Sequence, residues 1–354
     1  MRVDPLGFPL TSILSPEGRG GLRGAIIDVI QGATLLRKEE KMDPKDVRKV
    51  AIIGGGTMGH SIAQVFAQAG IEVNLMDVKA EVLERALRRM KGNLQTLADY
   101  GKMDVREIPY VLGRIRTSTD IARAVKGVDF ALETVVEIPE IKKKVFSQME
   151  EACPPNAVLA SNTSGLEIFK IIEVKDPSRT VTAHWFAPPH IIPLVEVAPG
   201  PQTSPEVVQF TAGLMERIGK KPIVMTQFAQ RFIVNRIQNA IVFAAIEIVS
   251  KGWATPEQVD LAVKSSIGIR MPIIGVIQSL DFTGLGLVHD INKSLGLKIP
   301  LIEEPVGKGH FGVSTSKGIY DYGGRTEEEI LRKRDLLFLQ MIDHLEKIGA
   351  FKPL

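Results

Sequence analysis

The amino-acid sequence predicts a doubly wound α/β domain with a mainly parallel sheet, followed by an all-helical C-terminal domain. Three observations carry this expectation. Between residue 49 and about residue 223, short apolar, β-branched runs alternate with helical segments, the pattern that builds a parallel sheet with helices on both faces. From residue 227 onward the strand pattern stops, and the chain reads as helix up to a glycine-rich tail. The length, 354 residues, suits about two domains at roughly 100 to 200 residues each.

The elements follow in order. Residues 49–54 (KVAIIG) are an apolar, β-branched strand, glycines succeed it, and residues 58–69 carry a helical pattern. Residues 71–77 (IEVNLMD) form a second strand and 79–97 a helix. Apolar runs at 130–136, 157–160 and 180–185 alternate with further helical segments, and a helix at 204–219 precedes a strand at 222–226. The divisions are an N-terminal extension at 1–46, an α/β domain at 47–228 and a helical domain at 229–354. The extension holds Pro5, Pro9, Pro16 and a GRGG run, and lacks the order of a secretory signal. It reads as an appendage, either a leader upstream of a start at Met42 or a helix docked at 22–36.

Composition narrows the class. Hydrophobic residues make up 44 % and charged residues 24 %, enough apolar content for a sizeable core. Lys and Arg number 44 against 41 Asp and Glu, a net +3 with no block of five like charges, so no nucleic-acid footprint stands out. One cysteine, Cys153, excludes an internal disulfide and a multi-thiolate metal site, and fits a reducing cytoplasm. The most apolar stretch, 233–249, is broken by Asn235, Arg236, Gln238, Asn239 and Glu247, so no membrane span is expected.

Gly54, Gly56 and Gly59, with Thr57 and Met58 inside the turn, satisfy G-x-G-x-x-G between one strand and one helix, and Asp77 closes the next strand. This is the order of a Rossmann-type dinucleotide site. The first glycine permits the turn, the second lets backbone approach a pyrophosphate, and the third lets helix pack on strand. An acid at Asp77 would bond ribose hydroxyls and repel a 2′-phosphate, which favours NAD over NADP.

Two further constellations lie downstream. ASNTSG places Asn162 and Ser164 on a loop at the carboxyl end of a parallel strand, where open α/β sheets bind ligands. In TVTAHWFAPPHIIPLVEV, His184 ends one strand and Glu196 lies in the next, joined by a loop that Pro188, Pro189 and Pro193 restrict. A carboxylate-oriented histidine is the usual base for taking an alcohol proton as hydride leaves. On the residues alone, His184 reads equally as a hydrogen-bonded core histidine. Asn235 sits in the first turn of the helix after the domain junction, where its amide could reach a cleft, although periodicity favours a local backbone contact.

Taken together, GGGTMGHSIAQVFAQAG, ETVVE, SNTSG, HWFAPPHIIPLVEV, FIVNR and GVSTSKGIYDY resemble the L-3-hydroxyacyl-CoA dehydrogenases in order and spacing, over about 47–345. The resemblance implies an NAD-binding domain, a helical dimerisation domain and thus a homodimer. It also implies an acyl-CoA substrate oxidised at C3 in fatty acid metabolism, with no metal. By position, His184 matches the family's catalytic histidine and Glu196 its orienting glutamate. Ser164 and Asn235 match the groups that bond the reacting oxygen, and Glu137 and Lys142 those near the nicotinamide ribose. Ala187 stands where the family has an asparagine, Arg270 where a histidine is common, and Tyr100 where a CoA-contacting cation is usual, with Lys102 nearest. Arg85, Arg88, Arg89 and Lys91 are the remaining candidates for the CoA phosphates. Alternatives are a dehydrogenase of a free hydroxy acid, as in the similar L-gulonate and carnitine dehydrogenases, or a non-catalytic NAD-binding protein.

Overall fold

The computed structural model describes residues 42–352. The two readings of the first 41 residues, a leader or a docked helix, lie outside them. The chain divides into two compact units, one up to Arg236 and one from Ile237 on.

The first unit is built on one eight-stranded sheet. Its strands are Lys49–Ile53 (β1), Glu72–Met76 (β2), Ile115–Ser118 (β3), Phe130–Glu133 (β4), Val158–Ser161 (β5), Thr180–Trp185 (β6), Leu194–Pro199 (β7) and Lys221–Val224 (β8). They lie in the order β3-β2-β1-β4-β5-β6-β7-β8. All neighbours are parallel except β6 and β7. The chain winds outward from β1 to β3 and returns to β4 on the other side of β1, so the glycine turn after β1 lies at the point where strand order reverses. Strands covered on both faces are largely apolar, and β4, β5 and β6 are buried at every position, so the polar side chains at their carboxyl ends are held in the interior.

Helices cover both faces. Gly59–Gln68 (α1), Ala80–Asp99 (α2), Ile108–Gly113 (α3), Ile121–Val125 (α4), Pro139–Ala152 (α5), Ile168–Ile171 (α6) and Pro205–Arg217 (α7) fill the connections. Two apolar clusters result, one around Ile52, Phe66, Phe130 and Trp185, the other around Ile53, Ala131, Phe146 and Leu159. Of the segment read as an extension, residues 42–46 are described. They pack on α7, where Arg217 Nη1 donates to the carbonyls of Pro44 (2.6 Å) and Val47 (2.9 Å).

Val234–Ser250 (α8) begins in the first unit and opens the second. There follow Pro256–Ala262 (α9), a π-helical turn at Val263–Ile267, and Gly268–Ile274 (α10). Gln278–Thr283 (α11), Leu285–Ser294 (α12), Pro300–Gly307 (α13) and Glu327–Lys347 (α14) complete the unit. The glycine-rich tail folds around Asp281. That buried carboxylate accepts the Ile319 and Tyr320 amides (both 2.9 Å) and the Tyr322 hydroxyl (3.0 Å). Thr326 and Glu329 form a reciprocal cap that starts α14. Among the described residues, no helix is long and apolar enough to cross a membrane.

Candidate active site

The turn after β1 is shaped by its neighbours. Gly54 has φ of 111°, and a Cβ there would lie 2.7 Å from the Thr134 carbonyl oxygen. A Cβ on Gly59 would collide with the Gly54 carbonyl, whereas one on Gly56 would meet nothing within 4 Å. Two of the glycines are therefore required by the protein itself, and the open side of Gly56 is left for a ligand. Thr134 Oγ1 donates to the Gly54 carbonyl (2.8 Å) and fastens the end of β4 to the turn. Asp77 Oδ2 accepts the Gly55 amide (2.9 Å), so the acid closing β2 stands against the turn. No side chain caps the start of α1, Thr57 is exposed and Met58 half-buried.

His184 and Glu196 are direct partners in the antiparallel pairing of β6 and β7. Partners across antiparallel strands share one face, so the short hairpin places the two side chains together. His184 Nδ1 lies 2.9 Å from Glu196 Oε2, and the Ser164 hydroxyl lies 3.2 Å from His184 Nε2. With Glu196 ionised, Nδ1 carries the proton and the lone pair on Nε2 faces Ser164. Glu196 Oε1 accepts the amides of Ile233 (3.0 Å) and Val234 (2.9 Å) at the start of α8, where the helix dipole favours a negative charge. Both dyad residues are buried. The Phe232 ring stacks on the imidazole (centroids 4.5 Å apart, planes at 17°), and Phe186 meets it edge-on at 4.6 Å.

Beside Ser164, Glu137 accepts the Thr163 hydroxyl (3.0 Å) and the Ser164 amide. Lys142 is only 1 % exposed, with its ammonium 2.6 Å from Glu133 Oε1 and 3.1 Å from Glu137 Oε2. Glu133 also takes the Ser161 hydroxyl and the Val135 amide, both at 2.7 Å. Burial pushes the Glu133 carboxyl up against the pull of Lys142. The lysine thus stands behind Glu137 and holds it toward the serine loop. Asn162 Oδ1 accepts the Trp185 amide (2.7 Å), locking the end of β5 to the end of β6. Asn235 Nδ2 is 3.5 Å from the Ser164 carbonyl.

Ser164, His184, Glu196, Glu137 and Asn235 therefore converge at the carboxyl ends of β4 to β6. Glu133, Thr134, Thr163 and Phe232 join them without having been picked out in the sequence. The ETVVE and SNTSG segments contained three of these, but only their partners across the sheet disclose the roles.

Residues 49–228 match the 3-hydroxyacyl-CoA dehydrogenase NAD binding domain, and residues 232–322 match the 3-hydroxyacyl-CoA dehydrogenase C-terminal domain. The chain belongs to the 3-hydroxyacyl-CoA dehydrogenase family. It is 32 % identical over 290 residues to a probable 3-hydroxybutyryl-CoA dehydrogenase of Bacillus subtilis, covering 79 % of this chain and 99 % of that protein. It is equally 32 % identical, over 284 residues, to the 5-formyl-3-hydroxy-2-methylpyridine 4-carboxylate 5-dehydrogenase of Mesorhizobium japonicum, covering 78 % and 91 %. A crystal structure of 3-hydroxyacyl-CoA dehydrogenase from Archaeoglobus fulgidus superposes with a TM-score of 0.69 at 29 % identity, over 85 % of this chain and 99 % of that one. Membership makes the chain an NAD-dependent oxidoreductase.

The residues present fit NAD. The free side of Gly56 would admit a pyrophosphate to the backbone at the uncapped start of α1, and Asp77 at the turn would be the residue to bond the ribose. Of the family departures, Ala187 is exposed on the loop between His184 and Glu196, and Tyr100 is 78 % exposed at the end of α2. Arg85, Arg88, Arg89 and Lys91 are exposed along α2, with Arg88 loosely paired to Glu84 at 3.8 Å. Arg270 is exposed on α10, in the second unit.

Proposed function

We propose that the protein interconverts a short-chain L-3-hydroxyacyl-CoA, such as 3-hydroxybutyryl-CoA, and its 3-oxoacyl thioester, with His184 as the base. The observation that carries this reading is the imidazole held at both nitrogens, by Glu196 at 2.9 Å and Ser164 at 3.2 Å. NAD, when bound at the glycine turn, supplies the hydride acceptor. His184 Nε2 takes the C3 hydroxyl proton, and Glu196 stabilises the imidazolium that forms. Ser164 and Asn235 bond the substrate oxygen as it becomes a carbonyl and fix C3 in place. Glu137, backed by Lys142 and Glu133, orients the serine loop and faces the ribose. Asn162 keeps the ends of β5 and β6 in register for the cofactor. The exposed cations of α2 suit a phosphate-bearing anchor such as CoA.

The reaction belongs to fatty acid metabolism. A cytoplasmic setting suits a chain whose single cysteine, Cys153, is free and buried. A homodimer is supported by the second unit, where Phe243, Ile246, Trp253, Leu336 and Leu339 are exposed. A monomeric mass in sedimentation would remove that part of the reading.

One relative of similar identity and coverage is named for a pyridine carboxylate, and Ala187 replaces an amide beside the base. These favour, as the second reading, a dehydrogenase of a free acid. The deciding assay compares kcat/KM for 3-hydroxybutyryl-CoA, 3-hydroxybutyrate, L-gulonate and carnitine, together with NADH consumption on acetoacetyl-CoA. The thioester is expected to win. A free acid turned over faster installs the second reading, and no turnover with NADH bound returns a non-catalytic binder.

A further inference from the structure

The loop from Phe186 to Pro193 joins the two strands that carry the dyad, and it is held by groups that the proposed chemistry does not use. Its anchor is Ser61, in the first turn of α1. The Ser61 oxygen accepts the His190 amide (3.1 Å), and its hydroxyl lies 2.7 Å from His190 Nδ1. One serine therefore takes the loop by backbone and side chain together. The neighbouring His60 donates from Nδ1 to the carbonyl of Gly56 (2.7 Å), the glycine of the turn where an added Cβ would meet nothing. On the other flank the buried Lys220 ammonium binds the Pro189 and Ile192 carbonyls, the latter at 2.9 Å, and lies 5.2 Å from the Trp185 ring. At its near end the loop presents the Phe186 ring to His184.

Together with the loop backbone between Phe186 and His190, these contacts link Gly56 through His60, Ser61 and His190 to Phe186 and His184. Direction matters in it. Burial first, then His60 and Lys220, lower the basicity of His190, and Arg89 adds to the cationic surroundings of His60. His190 is thus the neutral acceptor that the Ser61 hydroxyl requires.

We propose that His190 is a positioning residue: through Ser61 it registers the loop of the catalytic base against the cofactor turn, so that ligand at the turn orders the loop. The inference rests on the dehydrogenase reading but is tested partly without turnover. Hydride and proton acceptors must be aligned within a fraction of an ångström, and a slack loop loses that alignment while both groups remain present.

The first measurement is amide hydrogen exchange over residues 186–193 with and without NADH. Exchange is expected to slow on NADH addition in the wild type and to be unaffected in Ser61→Ala. Absence of that protection in the wild type, or its persistence in the variant, overturns the proposal. The second is kcat on whichever substrate the wild type turns over. Ser61→Ala and His190→Ala should each lower it about tenfold, with NADH affinity weakened by no more than the factor by which NADH protects the loop. His190→Asn, whose Oδ1 replaces Nδ1 as acceptor, should restore most of it. The double variant should be no worse than the poorer single one. Single variants with a lower melting temperature but turnover within about twofold of wild type would mark the clasp as structural only, as would multiplicative losses. A wild type that shows NADH-dependent protection yet turns over no substrate sinks the dehydrogenase reading and leaves the ordering intact.

Discussion

Glu196 divides its carboxylate between His184 and the start of a helix: Oε2 meets the imidazole at 2.9 Å, while Oε1 accepts the amides of Ile233 and Val234. The division sets the histidine tautomer and explains why an amide cannot replace the acid. In Glu196→Gln, an oxygen turned to the two amides leaves an NH₂ group facing Nδ1, which forces the proton onto Nε2. An oxygen turned to His184 leaves the NH₂ against two N–H donors. We expect Glu196→Gln to lower kcat by about 10³ to 10⁴. His184→Gln should lower it by about 10² to 10⁴. NADH affinity should be retained in both. Near wild-type turnover in either variant would remove the dyad assignment.

Lys142 offers a test of the network behind the serine loop. Its buried ammonium is the counter-ion of Glu133, which has no exposure to water. Removing one partner of a buried ion pair strands the other, and Lys142→Met should cost about 3 to 5 kcal/mol in denaturant unfolding. Adding Glu133→Gln should recover part of that loss, because the stranded charge is gone. A single-variant loss below about 1 kcal/mol would show that water reaches Glu133 when the lysine is removed.

Asp77 accepts the Gly55 amide of the turn, and in the proposed cofactor pose its carboxylate meets the ribose. The wild type should prefer NAD to NADP by a wide margin in kcat/KM, since a 2′-phosphate would meet the carboxylate. Asp77→Asn keeps an oxygen for the Gly55 amide at 2.9 Å and removes the charge, so it should narrow the preference. Equal use of both cofactors by the wild type would contradict the placement.

Much of the fold was legible because buried parallel strands announce themselves. β1, β4 and β5 each carry a run of apolar, buried residues, and the glycine turn needs residues that the neighbouring backbone itself demands. β3 was not legible: Ile115–Ser118 is a four-residue edge strand, IRTS, with no buried position. In the site, His184 and Glu196 could be read because a short hairpin makes them partners. Glu133 could not, since its bonds to Lys142 and Ser161 come from a helix and a neighbouring strand. Phe232 was hidden for another reason. It lies in FIVNR, which reads as the start of a helix, yet its φ of 51°, after 67° at Arg231, turns the ring onto His184. Glycine, and to a lesser degree Asn and Asp, signal left-handed backbone in a sequence, and Arg231 and Phe232 are none of these.

That pair of angles is itself testable. Arg231 is exposed and pays the left-handed cost without a packing return, so Arg231→Gly should raise stability by up to about 1 kcal/mol, after the greater unfolded-state freedom of glycine is subtracted. Turnover should be unchanged. A destabilised variant would show that the Arg231 side chain holds the junction.

Lys220 decides between two opposing effects on one ammonium. Burial disfavours its charge, whereas the carbonyls of Pro189 and Ile192 and the face of the Trp185 ring favour it. Burial prevails and pulls the group from 10.5 down to about 8. Between these values the unfolded chain holds a proton that the folded chain has released. Stability contributed by this group must therefore rise with pH across that window and be flat below about 8, where both states are protonated. The measurement is denaturant unfolding of the wild type and Lys220→Met, a substitution that fills the same buried space without a charge. The wild type should gain on the variant as pH climbs from about 8 to 10.5. If the carbonyls outweighed burial, the group would titrate above its ordinary value, and the difference would stay level across the window and then fall.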